Sequence, residues 1–263
     1  MRMAARQIVD HILAEAGVEL PANTVDTFKA GDPDTPVTGV ATTFLATGDV
    51  LRRAAGRGLN FVITHEPTFY EHREQTEALE GDDVLAAKRD LLADTALVVW
   101  RFHDGWHRRE PDGIDAGLIE EMDWGPHVVC TDPCLLALPE STVAELASAL
   151  REALGARAVR IVGDPHLRSG KVGLSLGAAP AIVQMRMLQR DDVEVLVAGE
   201  SREWETVEYV RDAADAGRRK ALILLGHCAS EEPGMRYLAD WLTLRLGGVP
   251  VEFLPAGDPF RIV

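Results

Sequence analysis

Apolar and polar positions along the chain form two kinds of pattern, one typical of amphipathic helices and one typical of buried strands. Near the start, Ile8, Ile12 and Leu13 fall on one helical face. Short continuous apolar runs at Asn60–Thr64 and Ala221–Leu225 are typical of strands that are buried on both faces. Because helical and strand-like segments alternate over the whole length, the pattern predicts an α/β fold.

The predicted elements occur in a similar order in the two halves of the chain. In the first half, we predict helices at 3–16, 48–55, 83–94 and 114–122, and strands at 24–29, 37–44, 60–64 and 97–102. In the second half, we predict helices at 143–154, 179–189, 204–216 and 233–246, and strands at 159–162, 171–176, 193–198, 221–225 and 251–254.

The halves also resemble each other in sequence. Ala30–Phe44 is echoed by Val162–Leu176, "FVITHE" by "VLVAGE", and "VVWRFHDGWH" by "LILLGHCASE". Three echoes in one order favour an internal duplication over the general likeness of α/β units. We therefore predict two interlocked α/β repeats, residues 1–128 and 129–263.

Charge and cysteine content restrict the class of protein. A formal net charge of −15 argues against a surface that binds nucleic acid or anionic lipid. Three cysteines, Cys130, Cys134 and Cys228, indicate no disulfide framework. Asp10 and Glu15 interrupt the apolar positions of the first helix, so we expect neither a signal peptide nor a membrane span there. These features predict a cytoplasmic protein with reduced thiols.

Three predicted strands end in a histidine that has an acidic or second histidine partner. In open α/β sheets, ligands bind outside the carboxyl ends of the strands, so these side chains are expected to meet. A lone histidine at a strand end more often has a structural role, but two His-x3-(His/Glu) units at duplicated positions favour a metal site. Seven such groups exceed the needs of one tetrahedral ion, which favours two metals. The candidate ligands are His65, Glu66, His103, Asp104, His107, His227 and Glu231.

The segments "VITHEPTFY" and "GHCASEEPGMRYLADWL", with the His-x3-His segment between them, resemble the Nif-three-like dinuclear metal-centre proteins. This family is also described as GTP cyclohydrolase 1 type 2 homologues. The resemblance covers nearly the whole chain, including "VDTFKAGDPDTPVTGVATTF" and "VAGE". It implies two intertwined, duplicated α/β halves with mixed sheets, a toroidal hexamer, and two metals in the cleft of each subunit.

By position, His65 matches the first histidine of the family's His-His-Pro motif, whereas Glu66 replaces the second. His227 and Glu231 match the family's C-terminal ligands without change. The chain therefore resembles a variant of the family in which the first motif reads His-Glu-Pro.

The middle motif departs further from the family pattern. Relatives have His-Thr-Asn-x-Asp, in which the last Asp bridges the metals; here His107 occupies that place and Asp104 offers a carboxylate three residues earlier. The site is therefore expected to hold one or two metals in a rearranged form. Because a neutral histidine bridges two metals poorly, Asp104, Glu66 or Glu231 is the expected bridge.

Divalent transition metals held by nitrogen and oxygen ligands can polarise a substrate oxygen and activate water. Hydrolysis of a small nucleotide or phosphoester is therefore the leading functional hypothesis, with Zn, Fe, Mn, Co or Ni all suited to the ligands. Glu200 and Asp104 are candidates for a general base, and Arg101 and Arg108 for holding a small anionic substrate; simple surface charge is the more common role of such arginines. The GTP cyclohydrolase activity is implied by the resemblance alone, and the sequence has no Walker A loop.

The alternative is a metal-binding regulatory protein or metallochaperone that has no turnover. A catalyst needs exchangeable positions on its metal and a cleft for substrate, whereas a storage site would be saturated with protein ligands. We also expect a homo-oligomer, because of the resemblance.

Overall fold

The computed structural model describes residues 2–263, which form helices and two β-sheets. The α-helices are Ala5–Ala16 (α1), Gly48–Gly56 (α2), Asp83–Thr95 (α3), Asp104–Arg108 (α4), Gly113–Glu121 (α5), Val143–Ala153 (α6), Ala181–Leu188 (α7), Glu208–Asp215 (α8) and His227–Thr243 (α9). The strands are Phe28–Ala30 (β1), Val40–Thr43 (β2), Phe61–Thr64 (β3), Val98–Arg101 (β4), Val128–Val129 (β5), Asp132–Thr142 (β6), Arg160–Val162 (β7), Arg168–Ser175 (β8), Val195–Ala198 (β9), Ala221–Leu224 (β10) and Val251–Phe253 (β11). None of the helices within residues 2–263 has the length and apolar character needed to cross a bilayer.

The chain divides into two compact units. The first contains the chain up to Gly113 together with Gly234–Ala256, and the second contains Ile114–Pro233 and Gly257–Val263. The chain therefore leaves the first unit, builds most of the second, returns to the first, and ends in the second. The predicted repeats, residues 1–128 and 129–263, were defined by sequence similarity and not by compactness. Their boundary stays a prediction.

The sheet of the first unit has the strand order β1-β4-β3-β2-β11. Its four neighbouring strands β4, β3, β2 and β11 run parallel, whereas β1 is antiparallel to β4 at one edge. Every residue of β2, β3 and β4 is buried, which explains their apolar, β-branched composition. Side chains of α2 such as Leu51 pack on Val62 and Val99 of this sheet.

The sheet of the second unit has the strand order β5-β6-β8-β9-β10-β7. Strands β8, β9 and β10 are parallel, and β7 is antiparallel to β10. The order β7-β10-β9-β8 therefore repeats the order β1-β4-β3-β2, with the same strand directions. The predicted α/β fold with two mixed sheets is confirmed, and the shared topology agrees with the sequence echoes.

Local capping explains where several helices begin. The side chain of Asp82 accepts hydrogen bonds from the backbone N–H groups of Val84 and Leu85 at the start of α3. Thr142 and Glu145 form a capping box at the start of α6. These contacts satisfy N–H groups that have no partner inside the helix, so both helices begin close to the predicted residues.

Two elements differ from the sequence predictions in ways that affect the site. Helix α9 begins at His227 and not at Pro233, which lies inside the helix. Glu231 therefore lies in the second turn of α9 and not ahead of the helix. Helix α4 was not predicted, so the segment from His103 to His107 turns helical directly after β4.

The long strand β6 was also missed by the sequence analysis. It contains Pro133 and Pro139, and exposed and buried positions mix along its length. Its pairing with β8 is irregular between Ala137 and Ser141. Proline and a broken alternation are weak strand signals, which is why the apolar pattern did not reveal it.

Replacing Lys88 with methionine is expected to stabilise the protein. Lys88 in α3 is 8% exposed, with its ammonium 4.9 Å from the centre of the Tyr70 ring, and burial lowers its pKa to about 8. Methionine fills similar space without a charge, so Lys88→Met should raise the free energy of unfolding at pH 7 by about 2 kcal/mol. Urea denaturation at pH 7 and pH 10 measures this change.

The gain from Lys88→Met should shrink as the pH rises through about 8. Above that pH the folded wild-type protein has released the Lys88 proton, whereas the unfolded chain keeps it until its higher pKa is reached. The unfolded state then binds more protons, so wild-type stability rises relative to the variant. Arg52→Met on the exposed side of α2 is the control, and a pH-independent difference for Lys88→Met would contradict the argument.

Candidate metal centre

Three histidines from two segments of the chain converge in the first unit. One ring nitrogen each from His65, His103 and His107 lies within 4.8 Å of the other two. The ring centroids are 4.7 Å apart for His65 and His103, 5.0 Å for His65 and His107, and 4.9 Å for His103 and His107. We call these three side chains the histidine cluster.

The parallel strands β3 and β4 bring the histidine cluster together. They are neighbours in the sheet and end at Thr64 and Arg101, so the residues that follow them emerge at the same edge. Helix α4 begins immediately after His103 and returns His107 to the same face one turn later. Trp106, fully buried, anchors this short helix by donating a hydrogen bond from Nε1 to the carbonyl oxygen of Gly234 at 3.2 Å.

Each imidazole of the histidine cluster has its Nδ1 atom next to an oxygen. The pairs are His65 Nδ1 with Phe102 O at 3.1 Å, His103 Nδ1 with Asp104 Oδ1 at 3.0 Å, and His107 Nδ1 with Asp112 Oδ2 at 2.9 Å. A carbonyl or carboxylate oxygen only accepts, so we assign the proton of each neutral ring to Nδ1 and the lone pair to Nε2. Imidazoles that bind metals are commonly oriented in this way.

The electrostatic environment keeps the rings of His65 and His103 neutral. Burial lowers the pKa of His65 well below its usual range, and positive charge on His107 or His103 lowers it further. Burial and the neighbouring His107 lower the pKa of His103 to about 4. Neutral imidazole is the form that ligates metal, so the cluster suits a transition metal with nitrogen preference.

Asp104 is held by three donors of the protein. Its Oδ2 accepts hydrogen bonds from Thr24 Oγ1 at 2.8 Å and from Val25 N at 3.2 Å, while Oδ1 faces His103. Burial raises the pKa of Asp104, but the hydrogen bonds from His103, Thr24 and Val25 lower it overall. The side chain is thus an ionised group that orients His103, and its direct ligation of metal stays a prediction.

Asp26 supports the site but was not identified from the sequence. Its carboxylate is 5% exposed and accepts N–H bonds from His103 at 2.8 Å, Asp104 at 2.9 Å and Gly105 at 2.7 Å. Burial raises the pKa of Asp26 despite these three bonds. The carboxylate caps the start of α4, and no local motif could have revealed a partner 77 residues away.

Glu66 forms an ion pair with a buried arginine. The Arg101 side chain is 0% exposed, and its Nη2 lies 3.2 Å from Glu66 Oε2. Its other nitrogens donate to the carbonyl oxygens of His65 at 2.9 Å and His72 at 2.5 Å. Arg101 is therefore neither a surface charge nor a group that can hold a substrate, which corrects both sequence interpretations.

Two other side chains near this edge, His72 and Arg108, are both exposed. His72, for which no functional role was predicted, has its ring centroid 5.6 Å from that of His103. Arg108 is exposed at the end of α4, as expected for simple surface charge. His72 was missed because it lies in the irregular segment after β3, where no periodic pattern of apolar residues shows which way a side chain points.

The second unit carries its own acid–histidine group at the matching edge of its sheet. His227 Nε2 lies 3.1 Å from Glu231 Oε2, one turn further along α9, and Glu231 is buried. Glu200 follows β9 with Oε1 3.9 Å from His227 Nδ1. Gly177, at φ +65°, has to be glycine because a Cβ there would collide with Glu231.

The strand ends thus carry the predicted side chains in both units. The first unit brings together His65, Glu66, His103, Asp104 and His107, and the second brings together Glu200, His227 and Glu231. That all seven candidate ligands bind metal, and that Glu200 acts as a base, stay predictions.

A match to a protein-family model shows how this chain is related to known proteins. The model of DUF34/NIF3 (NGG1p interacting factor 3) matches residues 25–259. The chain belongs to the DUF34/NIF3 family. The predicted resemblance is therefore confirmed, whereas a search of the curated proteins finds no match.

Solved structures share the NIF3 fold at low sequence identity. Staphylococcus aureus protein SA1388 is 16% identical with a TM-score of 0.80, and a Bacillus cereus protein related to NIF3 is 13% identical with a TM-score of 0.79; each match covers 100% of both chains. Reduced HcgD from Methanocaldococcus jannaschii is 13% identical with a TM-score of 0.69, over 97% of this chain and 98% of that one. At these identities the likeness shows the fold alone.

Proposed function

We propose that this NIF3-family protein binds a divalent transition metal and uses it to hydrolyse a small nucleotide or phosphoester. The observation that carries the proposal is the histidine cluster, in which three ring nitrogens lie within 4.8 Å of one another and each Nδ1 faces an oxygen acceptor. Glu66, Asp104, His227 and Glu231 are the proposed further ligands, and we propose one or two metal ions per chain.

The metal would supply a Lewis acid that polarises an oxygen of the substrate. The residues of the chain would hold the metal and orient the side chains that bind it. Asp104 and Asp112 fix the rings of His103 and His107, and Asp26 fixes the backbone from which both rings project. Glu200 is the proposed general base, because its side chain is solvent-accessible and ends a strand equivalent to β3.

The donor set favours ions of intermediate softness. Imidazole and carboxylate groups suit Zn, Fe, Mn, Co or Ni. Cys228 lies next to His227, but burial raises the pKa of its thiol far above the usual range. It stays protonated at neutral pH, so a thiolate ligand is not part of the proposed site.

Elemental analysis of untagged protein tests the metal proposal. We expect about one to two transition-metal equivalents per chain, and a decrease of roughly tenfold or more in metal affinity for His65→Ala and His103→Ala. His166→Ala, an exposed histidine in a turn of the second unit, is the matched control. Near-zero metal in the wild-type protein after reconstitution with Zn, Mn and Fe would end the proposal.

Turnover is a separate measurement on the metal-loaded protein. Bis-p-nitrophenyl phosphate, p-nitrophenyl phosphate and GTP test diester, monoester and nucleotide chemistry, and His103→Ala should lose any activity that the wild type has. Stable metal binding without turnover on these compounds would favour the binding-protein alternative. The proposed homo-oligomer, a hexamer by resemblance, is checked by light scattering on the same samples.

A further inference from the structure

A cavity of about 680 Å³ opens in the first unit beside the edge strand β1. It is bounded by β1, by α3 and by the segment that follows β3. Its lining includes Phe28, Lys29, Phe69, Glu74, Arg89 and Leu92, and we call it the β1 pocket. Its volume falls within the range of small-molecule sites, and it shares no lining residue with the histidine cluster.

The β1 pocket combines an apolar wall with two cations. Phe69 and Leu92 contribute apolar surface, and the small side chains of Ala93 and Ala96 leave room between α3 and the strand. Lys29 and Arg89 lie on the charged side. A wall of this kind binds an apolar body, and the cations favour a ligand that also carries negative charge.

The charges in the β1 pocket are not equivalent. Lys29 Nζ lies 3.4 Å from Glu74 Oε2, and both side chains are only 8% exposed, so this pair is internally compensated. Glu74 also accepts the backbone N–H of Thr68 through Oε1 at 2.6 Å. Lys29 can therefore donate an additional hydrogen bond to a ligand, but its charge is already matched.

Arg89 is the more exposed of the two cations, and its Nη2 also donates a hydrogen bond to Thr76 Oγ1 at 2.9 Å. Its guanidinium contacts Glu80 at 3.3 Å, and the two side chains are 44% and 61% exposed. Exposed ion pairs of this kind contribute little to stability, so a ligand can displace Glu80 without much loss. One exchangeable guanidinium matches a single carboxylate, which it can bind through two parallel N–H bonds.

A peptide strand is a poor occupant of the same place. Strand β1 has three residues, and its register with β4 shifts between Phe28 and Ala30. Short and bulged edge strands resist the addition of a further strand. The shape and charge of the β1 pocket therefore favour a small molecule.

We infer that the β1 pocket binds a small amphipathic monocarboxylate. Its apolar body packs against Phe69 and Leu92, and its carboxylate accepts hydrogen bonds from Arg89 and Lys29. This site is distinct from the proposed metal centre and does not depend on metal.

Isothermal titration of the full chain with 4-phenylbutyrate and with its neutral amide, 4-phenylbutyramide, tests the inference. The two compounds share one apolar body and differ in charge. The acid should bind about tenfold more tightly than the amide, because only the acid forms charge-assisted hydrogen bonds. Arg89→Gln should remove this difference by weakening the acid about tenfold while leaving the amide unchanged.

A second variant tests the apolar side of the β1 pocket. Ala93 is exposed in α3, so Ala93→Phe fills the cavity without disturbing the core and should weaken both compounds. Arg52→Gln, an exposed arginine of α2 outside the pocket, should change neither affinity. Equal binding of acid and amide to the wild-type protein, no binding of the acid, or an acid affinity that survives Arg89→Gln and Ala93→Phe would overturn the inference.

Discussion

Asp26→Ala is expected to lower the free energy of unfolding by about 4 kcal/mol and to abolish most metal binding. The carboxylate accepts three backbone N–H bonds at the start of α4, and each buried N–H group left without an acceptor costs about 1–3 kcal/mol. Without this cap, His103 and His107 lose the backbone that places their rings against His65. Urea denaturation and elemental analysis measure the two effects.

Matched variants separate capping from a general loss of charge. Asp26→Asn keeps one oxygen, which can still accept from His103 and Asp104, so its loss of stability should be intermediate. Asp32→Ala removes an exposed carboxylate that accepts the N–H of Asp34, and it should cost less than about 1 kcal/mol. If Asp26→Ala kept wild-type metal content and stability, the capping role of Asp26 would be wrong.

Glu66→His changes His-Glu-Pro at residues 65–67 to His-His-Pro, and it is expected to destabilise this protein by about 3 kcal/mol. Arg101 is fully buried beside Glu66, and removing one partner of a buried ion pair leaves the other charge uncompensated. Chemical denaturation measures the loss. Metal content of the folded Glu66→His protein then shows whether the carboxylate serves the ion pair or ligates metal.

A double-mutant cycle isolates the Glu66–Arg101 interaction. The cycle uses Glu66→Gln, Arg101→Met and the double variant, and we expect a coupling of about 1–3 kcal/mol between the two positions. Glu66→Gln alone should cost less than Glu66→His, because the amide oxygen can still accept from Nη2. If the losses of the two single variants add up within about 0.5 kcal/mol, the pair is not coupled. The ion pair with Arg101 would then not explain why a glutamate stands at position 66.

The parts of the fold that the sequence predicted best are those with a strong local signal. Strand β10 is a continuous apolar run, and β3 and β4 are apolar up to Thr64 and Arg101; all three lie where the pattern placed them. Their buried positions leave few choices of residue, so the signal is strong. Strand β6, with its two prolines and its irregular register, has no such signal and was missed.

Helix α4 shows why part of the site stayed hidden. Its five residues are too few for a helical period to appear in the sequence. The helix forms because Asp26 caps its first N–H groups and Trp106 anchors it, and both contacts join residues far apart in the chain. The spacing of His103 and His107 can be read from the sequence, but the sequence does not predict the helix that places both side chains on one face.

By itself, the sequence determined the α/β order, the duplicated strand pattern and the histidines that follow β3, β4 and β10, because these features repeat at local spacings. Only the tertiary structure decided which groups surround them. It placed Asp26 under the start of α4, and it buried Arg101 so that Glu66 faces a guanidinium. Such pairings are set by burial, which removes water and makes each polar group require a specific partner, and a partner distant in sequence leaves no local pattern.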